Sequence, residues 1–144
     1  MKTSLLFLAV LLLLQCRSQQ YYGAPATLEN THWKLVEVGG KPVTTPEGGR
    51  EVYMELTREG VNGRLNGYAG CNGLGGDYTT AGKTIRFQPI TTRMYCELQM
   101  DVETGFTGML ASADHYRIRG NSLELFSAEE LLGRFEAITR DQGN

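Results

Sequence analysis

The stretch GYAGCNGLGGDY, Gly67–Tyr78, sets a cysteine and an asparagine among glycines, and its reading decides the fold. Three chemistries use such a loop: a phosphate cradle, a catalytic cysteine in a tight turn, or a backbone corner that needs glycine for steric reasons. The flanking residues separate them. GDYTTAGKT, Gly76–Thr84, has five residues between its glycines where a phosphate-binding P-loop has four, and no buried strand precedes it. GCNGLGG, Gly70–Gly76, reverses the glycine spacing of a dinucleotide-binding turn and leads into no helix. The phosphate cradle fails; beside the catalytic cysteine the steric reading stands, with Gly70, Asn72 and Gly73 as a structural turn in which Asn72 either adopts positive φ or caps backbone donors.

Outward from this corner the chain reads as short strands. WKLVEV runs into Gly39-Gly40, EVYMELT puts Val52, Met54 and Leu56 on one face, and VNGRL does the same for Val61 and Leu65. KTIRFQPI aligns Ile85 with Phe87, and Pro89 is expected to end that ladder because it lacks an N–H. HYRIRGNSLELF is a hairpin with Tyr116 and Ile118 on one arm, Leu123 and Leu125 on the other, and Gly120-Asn121 between them. GRFEAI supplies a last strand through Phe135 and Ala137.

One segment has helical spacing. From Thr92 to about Ala113 the apolar residues Met94, Leu98, Val102, Phe106, Met109 and Leu110 fall on one side, with Glu97, Gln99, Asp101 and Glu103 on the other. The pattern predicts one amphipathic helix capped by Thr91 or Thr92. Gly105 and Gly108 each cost about 1 kcal/mol there relative to alanine, which predicts a close approach to the sheet. The fold class is therefore α+β, short strands with one amphipathic helix.

The chain has 144 residues, enough for one domain, and its 21% charged and 41% hydrophobic side chains are ordinary for a globular body. Its start differs. Lys2 precedes the apolar run Leu5–Leu14, which is too short to cross a bilayer and fits the centre of an export signal. Cys16 then stands where a bacterial lipoprotein carries its lipidated cysteine, with Gln15 before it where Gly, Ala or Ser is usual. The competing cleavage site is the small-x-small triplet Ala24–Ala26. The expected organisation is a signal peptide over 1–15, a lipid-anchored tether over 16–27, and the domain over 28–140. Cleavage before Cys16 removes Lys2 and no acid, leaving 13 basic against 16 acidic side chains and a net charge of −3, which disfavours nucleic acid as a partner.

With Cys16 assigned to lipid, Cys71 and Cys96 form an even pair in an oxidising compartment, and a disulfide is expected. The alternative from another class is a thiol enzyme using Cys71 or Cys96 with His32 or His115 as base. Neither cysteine belongs to a C-x-x-C, the histidines lie far apart, and no acidic set resembles a calcium loop, so no metal site and no cofactor are expected. Glu129-Glu130 reads as solvated charge in a turn.

In order along the chain, Trp33-Lys34-Leu35, the Gly70-Cys71-Asn72 corner, and Thr91-Thr92 with Met94 and Cys96 before the helix resemble the META domain family of HslJ-like bacterial lipoproteins. The resemblance runs from about Leu28 to Ile138, with Tyr95 where the family usually has alanine. It implies an α+β fold, mostly antiparallel β in a small barrel-like sheet with one packed amphipathic helix, no assigned enzymatic activity, and links to stress tolerance, drug resistance or motility. The expected function is a non-catalytic cell-envelope lipoprotein, attached to a membrane through its anchor, supporting envelope integrity or stress and drug tolerance through binding to an envelope protein. The runner-up is a carrier or chaperone of a small apolar or lipid-like ligand, since a barrel of about eight strands is just wide enough to hold one. If Trp33, Met54, Leu65, Phe87, Ile118 and Leu125 converge to fill the interior, that alternative weakens. The sequence names no ligand-binding residue.

Overall fold

The computed structural model describes residues 24–138. Nine strands and one helix are present among them: β1 (His32–Val38), β2 (Lys41–Pro42), β3 (Tyr53–Glu59), β4 (Asn62–Tyr68), β5 (Gly73–Ala81), β6 (Thr84–Thr91), α1 (Met100–Ser112), β7 (His115–Arg119), β8 (Ser122–Ser127) and β9 (Glu130–Ile138). All pairings are antiparallel, and the sheet closes as a ring because β1 pairs with β3 on one side and β9 on the other. The two-residue β2 folds back on the end of β1, which brings the strand count to nine where about eight were expected. Residues 1–23 and 139–144 lie outside the described residues, and with them the signal segment and Cys16.

The ring is weakest between β6 and β7, which share the single ladder pair Thr84–His115 beside the backbone bonds Ile85 N–H to Asp114 C=O and Tyr116 N–H to Lys83 C=O. α1 occupies that side and packs on β6, β1 and β8. Its Phe106 and Leu110 are fully buried, with the Phe106 ring 5.8 Å from that of Phe135. Alternation brings Trp33, Leu35, Met54, Leu56, Leu65, Ile85, Leu123 and Leu125 to the same interior. Trp33 satisfies its buried indole N–H on the Leu28 carbonyl at 3.0 Å.

The glycines of the opening stretch answer to backbone crowding. A Cβ on Gly67 would sit 2.2 Å from the Tyr53 carbonyl oxygen, and one on Gly76, at φ +133°, 2.1 Å from that of Gln88. No side chain fits either position, so β4 and β5 can approach their neighbours only with glycine there.

Several expectations are corrected. Val61 does not share the inward face of Leu65: it sits in the Gly60-Val61 turn and is 90% exposed. Pro89 does not end β6, which continues to Thr91. It pairs with Gly76 of β5, and the other flank of β6 carries no ladder pair beyond Thr84 among the described residues, so its missing N–H removes no bond. Ala26, at the end of the expected tether, packs against the core, and its N–H bonds to Gly120 C=O at 3.0 Å. The helix begins at Met100, not Thr92, with Gln99 at its N-cap position and no side-chain cap.

Candidate functional site

The late helix start has a nonlocal cause. After β4, Ala69 N–H bonds to Asn72 C=O at 2.8 Å, closing a turn in which Gly70 holds φ +125°. Asn72 does not have positive φ, so of its two expected roles it takes the second. Its Oδ1 accepts from Met94 N–H at 2.7 Å and from the Thr92 hydroxyl at 2.9 Å; its Nδ2 donates to Met94 C=O at 3.0 Å and to Glu103 Oε1 at 2.7 Å. One buried amide thus makes four hydrogen bonds, two of them to the backbone of a single residue in the segment before α1. Cys71 and Cys96 are joined by a disulfide, with Cα atoms 5.7 Å apart. Met94, pinned through both its N–H and C=O, cannot enter a helical ladder, so 92–96 remains irregular; Cys96, fixed by its sulfur, then starts the turn into the helix, its carbonyl accepting Gln99 and Met100 N–H at 3.1 and 3.2 Å. Gly73, the last of the proposed turn residues, is the first residue of β5 at ordinary φ, and its carbonyl accepts Thr92 N–H at 3.3 Å.

Glu103 completes this clasp. It was expected on the solvent side, yet it is buried, and its carboxylate accepts Asn72 N–H at 2.8 Å, Cys71 N–H at 3.2 Å and Asn72 Nδ2 at 2.7 Å. Its place in the first turn of α1 suits a negative charge. The sequence held a signal for it: Glu103 precedes Phe106 by three residues and Leu110 by seven, the spacing of the buried stripe. Chemically the clasp is saturated. The sulfurs are bonded to each other, the Asn72 amide is fully used, and every buried side-chain nitrogen and oxygen among the described residues has a partner.

The histidines considered as bases have other partners. His32 lies between Glu51, 2.6 Å from Nε2, and Glu55, 2.7 Å from Nδ1, and stacks on Tyr53. His115 contacts Asp114 and stacks on Phe126. The disulfide leaves neither of them a thiol. Glu129 stands in the turn before β9, as expected, while Glu130 opens the strand.

Three further networks perturb titration. The Tyr78 hydroxyl donates to Glu29 at 2.7 Å and Arg58 bonds the same oxygen, so the Glu29 carboxyl is held below its ordinary range, chiefly by Tyr78 and then by Arg58. Burial, and then the Glu29 contact, push the Tyr78 phenol well above its usual range. Burial alone would raise Glu124, but Arg117 and Arg134 outweigh it and the carboxyl lies low. Asp114 is lowered by Ala128 N–H and then by His115.

Beside the clasp, a groove of about 720 Å³ runs between α1, the β1–β2 turn and the start of β9. Val38, Val43, Val102, Met109 and Leu132 line it, with Lys41, Asp101 and Glu130 among its charged residues. Its floor is open because of the two helix glycines. A Cβ on Gly105 would make ordinary contacts with Val38 at 3.5 and 3.6 Å, whereas one on Gly108 would meet nothing within 4 Å. The expected close approach therefore fails at Gly108, where the missing side chain leaves groove volume. The ring interior, in contrast, is filled: Trp33, Met54, Leu65, Phe87 and Leu125 are buried in one cluster, with Ile118 packed against it.

No curated protein matches the chain. Two solved structures do: an NMR structure of a protein from Burkholderia xenovorans, 22% identical with a TM-score of 0.61 over 78% of this chain and 85% of that one, and a second NMR structure, 21% identical with a TM-score of 0.57 over 77% and 94%. These likenesses concern the fold. The META domain model matches residues 26–138, the closed ring with its helix and clasp, and the chain belongs to the META domain family.

Proposed function

We propose that the chain is a non-catalytic lipoprotein of a bacterial cell envelope, anchored through Cys16 and supporting envelope integrity or stress and drug tolerance through binding. The observation that carries this reading is the Cys71–Cys96 disulfide, a bond of exported compartments, downstream of an apolar leader and a cysteine in lipobox position. Binding rather than catalysis is favoured because the clasp has spent its reactive groups on one another. A ligand inside the ring is disfavoured by the filled core, which moves the binding surface to the α1 groove, whose volume lies in the range of ligand sites.

Metabolic labelling with palmitate tests the anchor: wild type incorporates label and Cys16→Ala does not. Gly108→Phe tests the groove, since its side chain enters open space away from the core. It should abolish complementation of an envelope-stress phenotype while leaving the melting temperature in place; full complementation would refute the groove as the binding surface.

A further inference from the structure

Four large apolar side chains are displayed to solvent within nine residues: Ile90 (69% exposed), Met94 (63%), Tyr95 (81%) and Leu98 (88%). Their helical spacing had placed Met94 and Leu98 on a buried face, and the clasp turns both outward. The display is rigid. Met94 is held by Asn72 through its N–H and C=O, Cys96 by the disulfide, and the Cys96 carbonyl accepts both Gln99 and Met100 N–H, so Tyr95 stands between two fixed residues. Isolated exposed apolar residues are ordinary; three on one pinned segment, with Ile90 on the strand that leads into it, mark a contact surface whose ordering cost is already met.

We infer that this segment is a lipid-contacting face that lays the domain against the membrane holding Cys16; the inference rests on the anchor reading above. Three observations select a lipid surface over a protein partner. The segment's apolar side chains stand in solvent, and the cavities of about 720, 530 and 300 Å³ are lined by other residues. A fluid surface accepts projecting side chains without complementary shape. The residue types, a tyrosine among Ile, Met and Leu, suit the boundary between headgroups and acyl chains, where the ring is apolar and the hydroxyl wet. The third is reach. Cys16 and Ala24 are separated by seven residues, which span at most about 28 Å. The described chain enters at Ala26 beside Gly120, whereas the segment leaves the far end of β6, an eight-residue strand of roughly 26 Å. An anchored domain lying on its side therefore keeps the segment continuously close to the surface, at high effective concentration. Arg93 and Glu97 stand within the segment with opposite charges that cancel, so the contact is carried by its apolar side chains and is insensitive to salt.

The test places a reporter in the patch. Trp33, the chain's one tryptophan, is fully buried, so Tyr95→Trp adds an indole whose surroundings are read separately. The processed, lipidated chain is reconstituted on phosphatidylcholine vesicles with brominated acyl chains. Flotation reports the anchor and quenching reports the patch. The new indole should shift to the blue and be quenched roughly two-fold or more, equally at low and high salt, and Met94→Asp with Leu98→Asp should abolish this while flotation persists. Floating protein with an unquenched, water-exposed indole overturns the inference and leaves the anchor intact. Protein that does not float refutes the anchor; excess vesicles then read the patch alone, and an unquenched indole again overturns it. A blue shift without vesicles, accompanied by a dimer mass, assigns the patch to a second copy and also overturns it.

Discussion

Breaking the Cys71–Cys96 bond perturbs the clasp in a way whose size can be worked out. The cysteines are 25 residues apart, and the chain-entropy relation gives about 12 cal/mol/K for a loop of that length, or about 3.5 kcal/mol at 25 °C. The native segment does not need the bond for its position, because Asn72 holds Met94 and Thr92 independently. The loss therefore falls on the unfolded chain, which gains the freedom of the open loop. For a domain of this size the corresponding drop in melting temperature is roughly 12 °C. The assay is thermal unfolding by circular dichroism of wild type and of Cys71→Ala with Cys96→Ala, alanine being chosen because Cys71 is buried and a serine hydroxyl would need a partner. Wild type in reductant should match the double variant. A shift below about 2 °C would refute the assignment of the bond as a main stabiliser, and full loss of folding would show that Asn72 cannot hold the segment alone.

Removing the noncovalent half of the clasp should cost as much: Asn72→Ala leaves Met94 N–H and C=O and a Glu103 oxygen short of partners, a loss of about 3 kcal/mol or more in urea unfolding. Glu103→Gln should cost about 2 kcal/mol, because whichever way the amide is turned one acceptor oxygen becomes a donor facing an N–H of Asn72; stability equal to wild type would contradict the geometry. Gly108→Ala should stabilise by about 0.5–1 kcal/mol, its Cβ entering open space, whereas Gly67→Ala should destabilise by about 3 kcal/mol or more against the Tyr53 carbonyl. With pH, the lowered carboxyls of Glu29, Asp114 and Glu124 contribute stability that is present above their unfolded range near pH 4 and lost as pH falls through their folded values. Tyr78 works in the opposite direction: its raised phenol contributes stability below about pH 10 that is lost as pH rises, so Tyr78→Phe should flatten the alkaline limb of a melting-temperature profile and leave the acid limb sloped.

The sequence by itself determined what repeats locally or marks a turn. Alternation at Val52-Met54-Leu56 and Ile85-Phe87, the Gly120-Asn121 hairpin, and the helix stripe through Phe106 and Leu110 are periodicities of two and of 3.6 that need no partner to be read. The corner at Gly70-Cys71-Asn72 was legible as a steric device because the competing loop motifs fail on spacing. Only the tertiary structure decided where the helix begins, since the bonds that fix Thr92, Met94 and Cys96 ahead of it come from Asn72 and Cys71, twenty to twenty-five residues earlier. It alone turned Met94 and Leu98 outward and drew Glu103 inward, three reversals with one cause: nonlocal hydrogen bonds and a covalent link outweigh a local pattern. Ring closure between β1 and β9 and the open floor at Gly108 likewise depend on surfaces that meet across most of the chain, which no window of the sequence contains.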